Sequence, residues 1–422
     1  MKSTLTLLTP LTFGIAFFLG LECGGFQLVL IQVAEEFALD PVIMGGVVTS
    51  QFVAVFLGPL LFGWVSDRIG KKIVLAFGMA FFVVGCFGAF ASSALLFFSC
   101  SVFILGLGFS TCESVGSSLL SDSFPGKESF HLNIMQCGFS LGAVLSPLIF
   151  SRLINAGLAT WRIVFLCSGL GYVLIYPLLL LYRNGKAAKT GNSNLETGNS
   201  NLETGDGNLG NGDGHSKTGA APVREQSVFS PFFIVLFFSM TICVCIESGI
   251  GFFADSLFVT EFGNHDLGAY AISAFWFTMS VSRFTYSRLK IKPQTMVITG
   301  FLLIFIILVC LLPLRNPHVL LASFFLVGIA SGPVWPMILG MGASLNQNRS
   351  GTNTSILYAA GGLGGLVIPL VIGFSARHFG FYRSFWLLAI LAFTGFILMG
   401  LGSRKRYGSR ERFGSKRRSK RI

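Results

Sequence analysis

Between residues 10 and 402 the chain is a succession of apolar runs, each about 20 residues long, separated by short polar or basic breaks. A run of that length, wound as an α-helix, spans the roughly 30 Å hydrocarbon core of a bilayer. Lipid offers the backbone no hydrogen-bond partner, so each run has to satisfy its own amides as a helix. Only 11% of the residues are charged, against roughly 25% in soluble domains. The expected fold class is an all-α membrane protein. The runs are placed at about 10–33, 43–65, 73–91, 95–120, 130–156, 160–182, 229–258, 267–288, 294–313, 318–340, 351–375 and 381–402, twelve transmembrane helices in all. No cleavable leader is expected, because the first run lacks a small-residue cleavage site and is longer than a leader's apolar core.

An even number of crossings puts both ends on one side. By these boundaries about 25 of the 30 Lys and Arg fall there, among them Lys2, Arg68, Lys71, Lys72, Arg183 and Arg288. The other side holds Arg152, Arg162, Arg315, Arg377 and Arg383, with the acidic loop at 35–40. Basic residues concentrate on the cytoplasmic side, so both termini are expected in the cytoplasm and the membrane is expected to be the plasma (inner) membrane. The net charge of +12 sits in short loops and the tail without interleaved aromatics. That pattern suits anionic lipid as partner and not nucleic acid.

Residues 183–227 separate the sixth run from the seventh. They carry Thr190–Glu196 (TGNSNLE), repeated at Thr197–Glu203 and degraded at Thr204–Gly210. Gly, Asn and Ser cannot build a packed core, so a flexible cytoplasmic linker is expected. Ser403–Ile422 holds ten Lys or Arg with no apolar periodicity, and reads as a disordered cytoplasmic tail on anionic lipid. The chain thus divides into a six-helix bundle at 1–182, the linker at 183–227, a second bundle at 228–402 and the tail at 403–422. An internal repeat at an offset of about 222–225 residues supports the division. Leu21-Glu22-Cys23-Gly24 answers Ile246-Glu247-Ser248-Gly249, and Leu141-Gly142 with Pro147 answers Leu363-Gly364 with Pro369.

Gly63–Lys72 (GWVSDRIGKK) joins the second and third runs. Gly63, Asp67, Arg68, Gly70, Lys71 and Lys72 match the pattern Gly-x-x-x-Asp-Arg/Lys-x-Gly-Arg/Lys-Arg/Lys. This resembles the signature loop between helices 2 and 3 of the major facilitator superfamily. The resemblance covers nearly the whole chain apart from linker and tail. It implies two pseudo-symmetric six-helix bundles around a central cavity lined by helices 1, 4, 7 and 10. It also implies that Asp67 anchors the first bundle to the second when the cytoplasmic side is closed. The second copy of the loop, at 287–292, keeps positive charge and has lost the Asp.

Four acids fall within the helices: Glu22 in helix 1, Glu113 in helix 4, Glu247 and Asp255 in helix 7. A charge at the bilayer centre costs about 2.5–3.5 kcal/mol even on lenient scales, so these positions read as functional. All four lie on helices that the resemblance assigns to the cavity. Gly106, Ser110, Glu113 and Ser117 share one helix face, small and polar, which suits a cavity lining. With no basic residue in a span placed to pair with it, Glu113 suits a proton carrier or, failing that, a structural donor. Glu22 and Glu247 take matching places in the two halves, as substrate ligands or as a structural lock between bundles. Asp255, about 12 Å beyond Glu247 by helical rise, is a candidate for an outer gate. Trp335 answers Glu113 in the repeat, and Pro333 and Pro336 around it break the helix, which is tolerated beside a cavity. Its face suits stacking on a sugar ring or another flat solute, or simple packing. Gln136 opens a modest cavity face in helix 5, whereas Trp276 reads as structural. Gly138 and Gly142, and Gly361 and Gly365, are spaced for close helix approach. The nine Cys lie in apolar runs as small packing residues. No nucleophile–base pair or metal-ligand spacing stands out, so neither an enzyme nor a metal or cofactor site is expected.

Within the superfamily the chain is similar to the fucose–proton symporter type. The similarity rests on Glu113, on Asn133, Gln136, Phe139, Gly142 and Pro147 in helix 5, and on Glu247–Gly251. It implies that the acids of helices 4 and 1, here Glu113 and Glu22, serve proton coupling and sugar binding. The basic residue that many drug–proton antiporters carry in helix 4 is absent, and their helix 5 Gly-Pro stands here as Ser146-Pro147. The expectation is proton-coupled uptake of a small polar organic solute such as a sugar, by a monomer working through alternating access. The alternative is proton-coupled efflux of amphipathic compounds. A receptor that binds without moving solute is a third class, disfavoured because it would gain by losing its buried acids.

Overall fold

A computed structural model describes residues 2–124, 128–182, 230–286, 289, 291–345 and 350–418, and every residue described is helical or in a short connection. The linker and residues 287, 288 and 290 of the second basic loop lie outside the described residues. The first half comprises α1 (Lys2–Glu36), α2 (Pro41–Ile69), α3 (Lys71–Ala91), α4 (Leu95–Ser123), α5 (Glu128–Asn155) and α6 (Ile163–Leu181). The second comprises α7 (Pro231–Phe262), α8 (His265–Tyr286), α9 (Pro293–Leu311), α10 (Pro317–Ser331), α11 (Val334–Leu345), α12 (Ser350–Phe379), the short α13 (Phe381–Ser384) and α14 (Trp386–Arg418). The tenth span is α10 with α11, the eleventh α12 and the twelfth α14.

Local chemistry sets several helix starts. Asp40 accepts from the amides of Val42 (2.8 Å) and Ile43 (2.9 Å), with Pro41 at the first helical position of α2. Asn316 does the same for His318 (2.9 Å) and Val319 (3.3 Å) ahead of α10, where Pro317 leads. Each cap satisfies orphan amides, and proline there loses no bond it could have made. Among the described residues, eleven spans are long and apolar enough to cross a membrane. The twelfth is α8, whose Thr, Ser and Arg283 lower its hydropathy and which packs between α5, α7 and α10.

As its prolines predict, the tenth span breaks between Ser331 and Val334, and its two parts are α10 and α11. One expectation is corrected. The backbone stays helical through Arg418, past the expected limit at 402; Lys and Arg are good helix formers, and they extend a helix already nucleated in the membrane.

The two halves repeat one packing device. Along α1 and α5 a Cβ on Gly20 would meet the Phe139 carbonyl oxygen at 1.9 Å, and one on Gly142 the Phe17 oxygen at 2.0 Å. In the second half a Cβ on Gly364 of α12 would meet the Thr241 oxygen of α7 at 2.3 Å. Lipid tails are as apolar as Leu, so close backbone packing supplies the association that a hydrophobic core supplies in water. Gly142→Val is expected to force α1 from α5 and cost upwards of about 1–3 kcal/mol. Gly63→Ala, with open space at its Cβ inside α2, is the control, expected to hold stability or raise it by up to about 1 kcal/mol. Thermal melting of the two purified variants in one detergent checks the contrast.

The halves meet along α2–α12, α5–α8 and α1–α7. Thr49 donates to the Leu366 carbonyl (3.0 Å), Ser273 to that of Val144 (3.0 Å), and Asn155 to Asp266 (2.9 Å); Arg377 faces Asp40 at 3.4 Å. Phe252 packs edge-on against Phe26 (5.5 Å) and Phe52 (5.9 Å). All of these lie in the half of the molecule away from the Gly63–Lys72 loop. The molecule is therefore shut on the face opposite the loop.

Candidate functional site

Three of the four intramembrane acids lie within electrostatic reach of one turn of α1. Glu22 is fully buried, and the amide of Gln51 from α2 donates to both of its carboxylate oxygens, at 3.2 and 3.4 Å. The neighbouring Cys23 lies within electrostatic reach of Glu22, Glu113 and Glu247 together. Helices 1, 4 and 7 thus bring their acids to a common centre, as the repeat anticipates for Glu22 and Glu247.

Glu113 stands beside Gln136 of α5 and feels the charge of Arg283 from α8. The expectation that no basic residue of a span pairs with Glu113 is consistent with this: Arg283 acts on Glu113 through its charge alone and makes its ion pair elsewhere. Arg283 places Nη2 at 3.9 Å from Glu247 Oε1, and the Cys243 thiol donates to the same oxygen at 3.5 Å. A lock made by Glu22 pairing with the other bundle is not formed; Glu22 is held by Gln51 within its own.

The proline pair explains how Arg283 is aimed. In an unbroken helix the Gly332 carbonyl would accept from the amide of residue 336, which is proline and has none. Arg283 fills that vacancy, donating from Nε at 3.2 Å. The broken tenth span thereby fixes the cation that partners Glu247. Trp335 follows the break and packs edge-to-face on Tyr358 of α12 (5.3 Å, 77°). Tyr358 in turn lies beside Ser117 and within reach of the Glu113 charge, so an aromatic wall borders the acids.

The face read for α4 is only half right. Glu113 and Ser117 turn to α5 and Tyr358, but Gly106 packs on the Gln51 backbone and buried Ser110 donates to the Gly106 carbonyl (3.0 Å) beside α2. Helical periodicity defines a face and not the neighbour it meets. Asp255 is not brought to the centre; it is buried two turns along α7, next to His265. Gln51, Arg283, Tyr358 and the pair Gln27–Trp276 were not singled out as site residues. The indole of Trp276 donates to Gln27 across the two halves at 2.9 Å and packs on Phe139 at 5.5 Å, so it bridges the bundles rather than serving one of them. The available signal was the rarity of Gln and Arg within apolar runs.

In the signature loop Gly70 adopts φ 100°, which explains the glycine. Lys71 bonds Ser118 and Asp122 at the end of α4 (2.5 Å each), and Lys72 bonds the Tyr182 carbonyl. Both lysines thus tie the loop to its own bundle. Arg68 is exposed, and Gly63 approaches no neighbour. The side chains of Asp67 and Asn133 lie outside the described residues. Among the described residues no three His, Cys, Asp or Glu gather as metal ligands.

A model of the Major Facilitator Superfamily matches residues 12–263 and, overlapping, 236–421. Protein TsgA of Escherichia coli O6:K15:H31 is 22% identical over 361 residues, 84% of this chain and 84% of that protein. A TsgA homologue of Citrobacter koseri is 28% identical over 152 residues, 36% of this chain and 38% of its own length. The 4-hydroxybenzoate transporter PcaK of Acinetobacter baylyi is 26% identical over 180 residues, 42% of this chain and 38% of that protein. These last two alignments span well under half of the relative. Among solved structures, a bacterial homologue of the human lysosomal transporter Spinster, inward-facing and unoccupied, superposes with a TM-score of 0.72 at 13% identity, over 96% of this chain and 98% of that one. At that identity the likeness is one of fold.

Proposed function

We propose that this chain, which belongs to the Major Facilitator Superfamily, carries out proton-coupled uptake of a small polar organic solute by alternating access. The observation that carries the reading is that Glu22, Glu113 and Glu247 all lie within electrostatic reach of Cys23, with Arg283 facing Glu247. Acids held in lipid-embedded helices serve a coupling ion or a ligand far more readily than they serve packing. In this reading Glu113 carries the proton, and Glu22, Glu247 and Gln136 bind the solute's polar groups. The Trp335–Tyr358 wall takes its flat face, such as a sugar ring or an aromatic acid. Asp67 and the rest of the signature loop set the rate at which the loop face closes. The charge asymmetry supports a cytoplasmic location for both termini; in this reading the face shut in this structure is the outer one and the transporter works as a monomer.

The Trp335–Tyr358 pair beside the acids favours one second reading: efflux of amphipathic compounds through the same site. The test has two steps. Purified protein is screened for solutes that raise its melting temperature; saturation at about 100 times Kd adds about 2.7 kcal/mol to stability. The hit is then followed in proteoliposomes under an imposed proton gradient. Accumulation with protons moving in the same direction supports uptake, accumulation against the proton flow supports efflux, and exchange indifferent to the gradient overturns proton coupling.

A further inference from the structure

Asp255 is a buried acid that the central site does not use. It is 1% exposed, and neither carboxylate oxygen has a hydrogen-bond partner. Oδ2 faces the Nδ1 of His265, the first residue of α8, at 3.7 Å, and that nitrogen is unpartnered too. The approach depends on Gly268, where a Cβ would meet Oδ1 at 2.1 Å. The next residue, Asp266, accepts from Asn155 of α5 at 2.9 Å, across the boundary between the two halves. The first turn of α8 therefore holds a buried acid of its own half with one side chain. With the next it holds the other half, on the face that is shut.

A carboxylate this deep is costly to keep both ionised and alone. The Asp255–His265 pair is compensated when it shares one proton. A second proton leaves an imidazolium without its anion, on a side chain 40% exposed and free to turn to water. Loss of the shared proton strands the carboxylate. Either change acts on the turn that carries Asp266. Among the described residues, the other charged groups facing the pair are Glu35 of α1 and Asp266 of α8 itself. Both are acidic, so a departing imidazolium is drawn toward the α1–α8 boundary.

We propose that Asp255 and His265 form a proton-binding site outside the central cavity, and that its occupancy sets how tightly the shut face is held. The site is separate from the coupling role assigned to Glu113 and is tested without transport. Backbone hydrogen exchange is measured on the full chain in nanodiscs at pH 7.5 and pH 5, corrected for the intrinsic pH dependence. The peptides read are those covering the first turn of α8 and the last turn of α5. Protection of both should fall roughly tenfold on acidification, the change that about one pKa unit of differential proton binding produces. Asp255→Asn and His265→Gln should each flatten that response. Asp266→Asn should lower protection at both pH values yet keep the response, which separates the pair from protonation of Asp266. His265 is partly exposed, so His265→Gln decides the matter alone if Asp255→Asn does not fold. A wild type without the response, or a His265→Gln variant that keeps it, overturns the proposal.

Discussion

Glu113→Gln is expected to abolish concentrative uptake while leaving exchange intact. With one proton per solute, a gradient of one pH unit supplies about 1.4 kcal/mol, so the wild type should concentrate solute about tenfold for each unit. The variant should equilibrate at an inside-to-outside ratio of about one at any gradient. Gln keeps the size of the protonated acid and can still meet Gln136, but it has no proton to release. Exchange of labelled for unlabelled solute needs only the loaded carrier to reorient, so counterflow should persist. Glu113→Ala should damage both activities, because it strands the Gln136 amide beside α4 at a cost of about 1–3 kcal/mol. Glu22→Gln and Glu247→Gln should weaken solute binding more than coupling. Counterflow and gradient-driven uptake measured in the same vesicles decide the question. If Glu113→Gln still concentrates solute, Glu113 is structural and the coupling site is to be sought at Glu22, Glu247 or Asp255, first at Glu22, whose hydrogen-bond partner is a neutral amide.

The helices and the acids were legible for the same reason. Lipid enforces long apolar runs, and an acid inside such a run has no innocuous explanation, so Glu22, Glu113 and Glu247 stand out in one dimension. Gly138 and Gly142 belong with them, since close approach in lipid calls for small residues at helical spacing. Arg283 was hidden by its position near the end of the eighth run, where it blends with the basic loop that follows. Its role depends on the Gly332 carbonyl, freed by a proline on a different helix, and no local pattern records that. The misread half of the α4 face has the same origin. Gly106 and Ser110 have the spacing of a lining, and only tertiary packing turns them onto α2. Asp255 could be placed away from the centre by helical rise alone, but His265 had to fold back from the start of α8 to meet it. The helical extension through Arg418 shows composition misleading in the other direction. A basic segment without apolar periodicity reads as coil, yet it needs no nucleus of its own when it continues a helix already wound in the membrane from Trp386.

Arg283→Ala is expected to produce a large combined loss of stability and transport. It removes the cation facing Glu247 and the donor serving Gly332 in one step. Breaking a buried ion pair from one side costs about 3–5 kcal/mol. This pair is longer and partly accessible, with side chains 20% and 11% exposed, so the charge component falls below that range. The Gly332 carbonyl adds the penalty of an unsatisfied buried acceptor, about 1–3 kcal/mol. Arg283→Lys separates the two contributions: it keeps a positive charge but cannot reproduce the Nε bond while reaching Glu247. It should therefore melt between Arg283→Ala and the wild type. Adding Glu247→Gln to Arg283→Ala removes the stranded charge, so the double variant should be more stable than Arg283→Ala alone. The coupling energy from that cycle measures the pair directly. Transport follows a different order. If Glu247 binds solute, the double variant regains stability without regaining affinity, and its counterflow stays low at solute concentrations that saturate the wild type. If the pair is only a structural brace, stability and counterflow recover together, and Glu247 loses its place among the substrate ligands.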